Sequence, residues 1–177
     1  MLSLTFAALL LLSTPVNMTE NIDDLPRKHP LEEVVGVEKA AVAQEIETHL
    51  TRLGFSDRLA RAATINAYAE SKLNPEAVGD NGNSVGVFQL NSKGLGRKMT
   101  HDDRKDVKKS AERIAWFVHK DKKLISMQEE CAHLKDLVAV FTIRIERPSN
   151  AKKKAIVRAK LSDRFDKGLS QSCSQKS

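Results

Sequence analysis

Between Asn74 and Asn91, a chain whose apolar residues otherwise recur at helical spacing abandons that spacing. Asn74-Pro75 closes the preceding pattern, because proline lacks an amide donor and pushes the residue before it out of the helical region. Gly79-Asp80-Asn81-Gly82-Asn83-Ser84 follows, with the Gly, Asn and Asp density of tight turns. Ser84–Leu90 then reads as a short β-like stretch. A chain with helices on both sides of such a break has few options. It folds as an all-α or α-dominated domain with a small β element in its middle.

The helical segments have recognisable ends. Ala40, Ala43, Ile46, Leu50 and Leu53 form one stripe after Val37, and Gly54 terminates it. Ser56 is an N-cap for the next helix, where Leu59, Ala60, Ala63, Ala67 and Tyr68 lead to Glu70. Thr100 and Asp103 have capping-box spacing before Val107, Ala111, Ile114 and Val118. Ser126 and Glu129 repeat it before Cys131, Leu134, Leu137, Val138, Phe141 and Ile145, and Pro148 breaks that helix. Ser149 or Asn150 caps a last basic helix expected to bury Ile156, Val157, Leu161 and Phe165, with Gly168 at its end. The expected organisation is a hydrophobic N-terminal segment (1–17), a linker (18–35), one domain (36–168) and a tail (169–177).

Composition narrows the chemistry. A net charge of +6 points to an anionic partner: cell-wall polymer, membrane surface or nucleic acid. Specific nucleic-acid reading is not expected, since the basic C-terminal third has no interleaved aromatics and no DNA-binding motif. With one Trp and one Tyr, any sugar site must lean on hydrogen bonds, and Trp116 and Phe117 are expected in the core. Leu2–Leu12 is too short for a membrane span but suits a signal or an anchor that could touch a membrane. No Lys or Arg precedes it, and Met18 is an alternative start. Cys131 is expected to be a small buried hydrophobe, and a Cys131–Cys173 disulfide needs an oxidising compartment. His29, His49, His101, His119 and His133 are scattered, so no metal is expected. No phosphate loop or nucleophile motif calls for a cofactor.

Glu70 is the residue with chemistry to offer. Ala67, Tyr68 and Ala69 precede it, and the negative end of a helix favours a protonated acid there. Such an acid at the lip of a cleft suits protonation of a bridging sugar oxygen. An exposed helix-end glutamate is the competing reading.

Two windows separate these readings. The first holds Glu70-Ser71, Asn74-Pro75, Ala77, Gly82, Ser84 and Gly86-Val87-Phe88-Gln89; the second runs from Phe141 through Glu146-Arg147-Pro148 to Ala151 and Arg158. Together they resemble the lysozyme-like muramidases, the superfamily of goose-type lysozymes and lytic transglycosylases, and above all the phage tail lysozymes. The resemblance spans roughly residues 40–165. It implies a mainly α, α+β lysozyme-like fold whose short β element lines a substrate cleft. It also implies a peptidoglycan-degrading glycosidase cleaving the β-1,4 bond between N-acetylmuramic acid and N-acetylglucosamine.

Carried over position by position, Glu70 matches the general acid, and Asp80 stands where some relatives carry a second acid. An Asx-turn role for Asp80 in Asp-Asn-Gly is the favoured reading of that position. Ser71, Ser84, Gly86, Gln89 and Asn91 are the expected substrate-binding positions. Gly86 would allow close backbone approach, and Gln89 would line the groove. Glu146 either anchors a helix end or touches substrate. The implied partners are bacterial peptidoglycan and other virion or tail proteins, in the virion or exported to the host periplasm and cell wall.

One departure matters. Lytic transglycosylases carry an Ala-Tyr-Asn-Ala-Gly segment, and Ala139-Val140-Phe141-Thr142 lacks its Tyr and Asn. Hydrolysis is therefore favoured over transglycosylation to anhydromuropeptides. A virion structural protein of low activity and a basic nucleic-acid binder remain as alternatives.

Overall fold

The computed structural model of the protein describes residues 29–169. The 1–17 segment, residues 18–28 of the expected linker, and residues 170–177 with Cys173 lie outside the described residues. Helices α1 (Glu32–Val35), α2 (Val37–Arg52) and α3 (Asp57–Ser71) come first. Strands β1 (Val78–Gly79), β2 (Ser84–Val85) and β3 (Leu90–Asn91) follow. Then come α4 (His101–Lys105), α5 (Val107–Val118), α6 (Lys122–Glu129), α7 (Leu134–Phe141), α8 (Ala151–Ala159) and α9 (Ser162–Phe165). The expected mainly α fold with a small β element is the one observed.

Helix α3 is the axis of the domain. Every residue from Leu59 to Ala67 is buried, so the helix is enclosed on all sides rather than along one stripe. Its alanines make this possible, since Ala60, Ala62, Ala63 and Ala67 let neighbouring helices come close. Helix α7 packs most extensively on it, with α2 on another side. Leu59 and Ile65 are fully buried, and each contributes about 1.5–3 kcal/mol of transfer free energy. Ser56 caps the helix as its sequence predicts, its hydroxyl accepting from Leu59 N at 3.3 Å.

An ion pair with a buried arginine fastens the end of α9 to this axis. Arg61 on α3 bonds Glu47 on α2 and donates through Nη1 to Phe165 O (2.5 Å) and Lys167 O (3.0 Å). Burial works against the Glu47 charge, but hydrogen bonds from His29 and Arg61 hold its carboxyl below the usual range.

The three strands form one antiparallel sheet in the order β1-β2-β3, pairing Val78 with Val85 and Val85 with Leu90. Two-residue strands cannot hold a sheet alone. Arg104, buried on α4, supplies the brace, its Nη1 donating to Asn83 O (2.6 Å) and Leu90 O (3.0 Å).

Several local expectations give way to tertiary packing. Residues 29–35, read as linker, instead carry α1 and the fully buried Leu31. The Thr100–Asp103 capping box is present, but Asp106 breaks the helix and caps α5 by accepting from Lys109 N at 2.9 Å. The Ser126–Glu129 cap does not form. Asp121 caps α6 instead, accepting from Leu124 N at 3.1 Å, and Ser126 lies inside that helix. Cys131 therefore falls in a turn at φ 62, and it is disulfide-bonded rather than a free buried hydrophobe. The chain's other cysteine, Cys173, lies outside the described residues.

Two apolar assignments are also reversed. Trp116 is 48% exposed and stacks with Arg113 and Lys120 rather than entering the core. On α8, Ile156 and Val157 are 63% and 58% exposed, while Ala155 and Arg158 are buried. The helix is thus turned to carry an arginine inward. No helix among the described residues is long and apolar enough to cross a membrane.

Candidate active site

Glu70 occupies the last turn of α3, its side chain 21% exposed. The helix ends abruptly after it, with Lys72 and Leu73 both left-handed (φ 59 and 60). Buried Leu73 anchors this reversal. Ser71 then joins the helix to the β element: its hydroxyl lies 2.8 Å from Val87 O and 3.2 Å from Ala67 O. The same oxygen accepts from Asn74 N at 3.2 Å. The acid is thereby attached to the hairpin through its immediate neighbour.

Among the hairpin residues, Asn91 Nδ2 donates to Ser84 Oγ at 3.1 Å, and Ser84 Oγ donates to Asp80 Oδ2 at 2.5 Å. Asp80 itself is exposed in a left-handed turn with Asn81. This chain fixes the Asp80 carboxylate at the hairpin surface. Gln89 is used differently. Its amide Nε2 donates to Ala77 O and Gly86 O, both at 3.1 Å, which occupies both of its N–H groups inside the hairpin.

Gly86 is buried at φ +81, and a Cβ there would stand 1.8 Å from Arg104 O. The close approach that requires glycine is thus to the backbone of α4. The expected site residues divide into a hairpin network, Asp80 with Ser84 and Asn91, and internal ties, Gln89, Gly86 and Ser71.

Glu70 has partners that the sequence reading missed. Arg158 Nη2 donates to Glu70 Oε1, and Arg158 Nη1 donates to Asn66 Oδ1 at 2.9 Å. Asn66 lies four residues before Glu70, on the same face of α3. Its Oδ1 also accepts from Thr142 Oγ1 at 2.7 Å, and its Nδ2 donates to Ala62 O at 2.9 Å. An acid read as standing among apolar neighbours is therefore ion-paired. The available signals were Asn66, a polar residue in an otherwise apolar helix, and Arg158, a cation at the end of the second motif window.

Glu146 completes this corner. It ends the π-helical turn Thr142–Glu146, and its Oε1 is buried without a hydrogen-bond partner. Burial first, then repulsion from Glu70, pushes its carboxyl up to about 8 against the opposing pull of Arg158.

Two surface hollows, one at Arg58–His133–Asp166 and one at Gln44–His49–Lys108, hold none of these residues. No group of three or more His, Cys, Asp and Glu side chains among the described residues is placed to hold a metal.

Residues 41–167 match a family model described as phage tail lysozyme. No curated protein and no solved structure matches the chain.

Proposed function

Since the chain belongs to the phage tail lysozyme family, whose model covers most of its length, we propose that it is a peptidoglycan glycosidase in which Glu70 is the general acid. The bond cleaved is the β-1,4 link between N-acetylmuramic acid and N-acetylglucosamine. Family membership supports a lysozyme-like action on peptidoglycan and association with the virion. The observation that carries the residue assignment is the position of Glu70. It is the partly exposed carboxyl at the end of the buried axis helix, and Ser71 ties it to the β element.

The chemistry follows from that position. The leaving sugar departs only if its oxygen is protonated as the C1–O bond breaks, and a carboxylic acid on a rigid element supplies that proton. Asp80, held by Ser84, is the carboxylate available to orient or activate water. Partial exposure gives Glu70 access to a substrate, while Arg158 and the hairpin tie restrict its geometry.

Mass spectrometry of digested peptidoglycan tests the reading. Wild-type protein should release muropeptides with reducing ends, and Glu70→Gln should lower the rate by about 10²–10⁴-fold with its fold unchanged. Anhydromuramic ends would mean transglycosylation. A folded Glu70→Gln protein that clears cell walls at the wild-type rate would exclude Glu70 as the acid.

A further inference from the structure

Helix α8 is oriented in a way that the core alone does not explain. Ala155 and Arg158 face inward, whereas Lys153, Ile156, Val157 and Lys160 recur at i, i+3, i+4 and i+7 and make one outer face. Ile156 and Val157 keep most of their surface in solvent there. Lys152 and Lys154, both exposed, border this face on either side. No Asp or Glu occurs between Glu146 and Asp163.

The lysines of this face are also without partners. Elsewhere on the surface Lys105, Lys109, Arg144 and Lys167 each meet a carboxylate, from Glu76, Asp103, Asp121 and Glu33. Among the described residues, Lys152, Lys153, Lys154 and Lys160 have no side-chain hydrogen bond or ion pair. Their position adds to the cost. Lys152, Lys153 and Lys154 occupy the first turn, at the positive end of the helix dipole, and Asn150 gives that end no side-chain cap. The fold gains nothing from two β-branched side chains in water or from three cations at the unfavourable end of a helix. Local costs of this kind collect where a surface has a function.

We propose that the outer face of α8 docks on an anionic lipid bilayer. The lysines complement the phosphate groups of such a surface, and phosphates near the first turn offset the like charges gathered there. Ile156 and Val157 gain only from a partner with an apolar layer just beneath its charge. A soluble polyanion, whether wall polymer or nucleic acid, has no such layer. A second copy of this chain does not fit either, because the two lysine faces would repel.

This docking goes beyond the glycosidase reading and does not depend on it. Its consequence for the candidate active site is one of orientation. Arg158 leaves the opposite side of α8 and bonds Glu70. A protein lying on lipid through Ile156 and Val157 therefore has α8 between the bilayer and Glu70. The carboxyl is held beside the membrane but turned away from it.

Co-sedimentation of the full chain with vesicles tests the docking face. Wild type should bind phosphatidylglycerol–phosphatidylcholine vesicles and be released as salt rises. It should bind phosphatidylcholine vesicles at least about tenfold more weakly. Equal binding to both would place the contact in the apolar segment 2–12 and overturn the assignment to α8. A wild type that stays in the supernatant with both overturns it too.

Replacing Lys152, Lys153, Lys154 and Lys160 with Gln should weaken binding about fivefold per lysine, on the order of 10²–10³-fold together. Ile156→Ser combined with Val157→Ser should weaken it roughly tenfold with the lysines intact. All six side chains face solvent, so both variants should unfold at the wild-type temperature, and lost binding then reports the face rather than the fold. A serine variant that holds vesicles like wild type shows a face that reads charge alone, as for a soluble polyanion, and overturns the lipid assignment. A glutamine variant that binds like wild type sinks the docking face altogether.

Discussion

Arg158 and Glu70 meet across 88 positions of sequence, a buried guanidinium on α8 bonded to a one-fifth-exposed carboxylate at the end of α3. This pair joins the two motif windows. Its second arm, on Asn66, fixes the guanidinium plane so that the first is aimed at Glu70.

Removing Arg158 should therefore be expensive. Arg158→Met leaves Glu70 without its counter-charge and Asn66 Oδ1 with Thr142 alone. A loss of about 3 kcal/mol is expected, the low end for breaking a buried pair because Glu70 is partly solvated. Urea denaturation measures it. The Arg158→Met, Glu70→Gln double variant should recover part of the loss, and strict additivity would mean the pair contributes nothing.

Gly86→Ala should disrupt the β element. The new methyl group would lie 1.8 Å from Arg104 O, in a backbone conformation that also disfavours side chains. The strand-to-α4 contact must open, at an expected cost of about 3 kcal/mol or more. Amide hydrogen exchange should show lost protection at Val85 and Leu90, while α3 stays protected. Unchanged exchange in the strands would contradict the close packing.

Ile156→Ser and Val157→Ser should be nearly silent, within about 0.5 kcal/mol, since both side chains face solvent. Had the apolar residues of this helix pointed inward, each change would cost more than about 1 kcal/mol. Thermal unfolding of the two variants therefore reports the rotation of α8.

Stability should depend on pH at two limbs. Folded Glu146 holds its proton up to about pH 8, whereas in the unfolded chain the carboxyl loses it near 4.5. The native state binds the extra proton between these values, so stability declines as pH rises through that window. Glu146→Gln should flatten this decline. Asp103 behaves oppositely: hydrogen bonds from Lys109 and Thr100 hold it down to about 2 from 3.8. Its contribution is present above pH 3.8 and lost as pH falls through 2, so Asp103→Asn should flatten the acid limb. Denaturant midpoints measured from pH 2 to 9 give both slopes.

Much of this architecture was legible in single residues. Gly54 and Ser56 end α2 and begin α3, Pro148 follows the end of the α7 segment, and the Asn74–Asn91 break is the β hairpin. These signals are local, so they survive folding. The reading failed where two local signals competed. Ser126 has cap spacing, but Asp121 caps the helix first and shifts α6 and α7 apart around Cys131. It failed again at α8, where apolar count favoured Ile156 and Val157 but one buried arginine set the rotation.

The candidate site divides along the same line. Glu70, its helix and its neighbouring hairpin follow from adjacent residues, because helix ends and turns are short-range chemistry. The state of Glu70 does not. Its counter-charge comes from Arg158, and Glu146, 76 residues on in sequence, brings to the same corner an enclosed oxygen without a hydrogen-bond partner. Charge and desolvation act through space, so sequence could place Glu70 at a helix end, while only the packed chain could bring Arg158 to it and enclose a Glu146 oxygen without a partner.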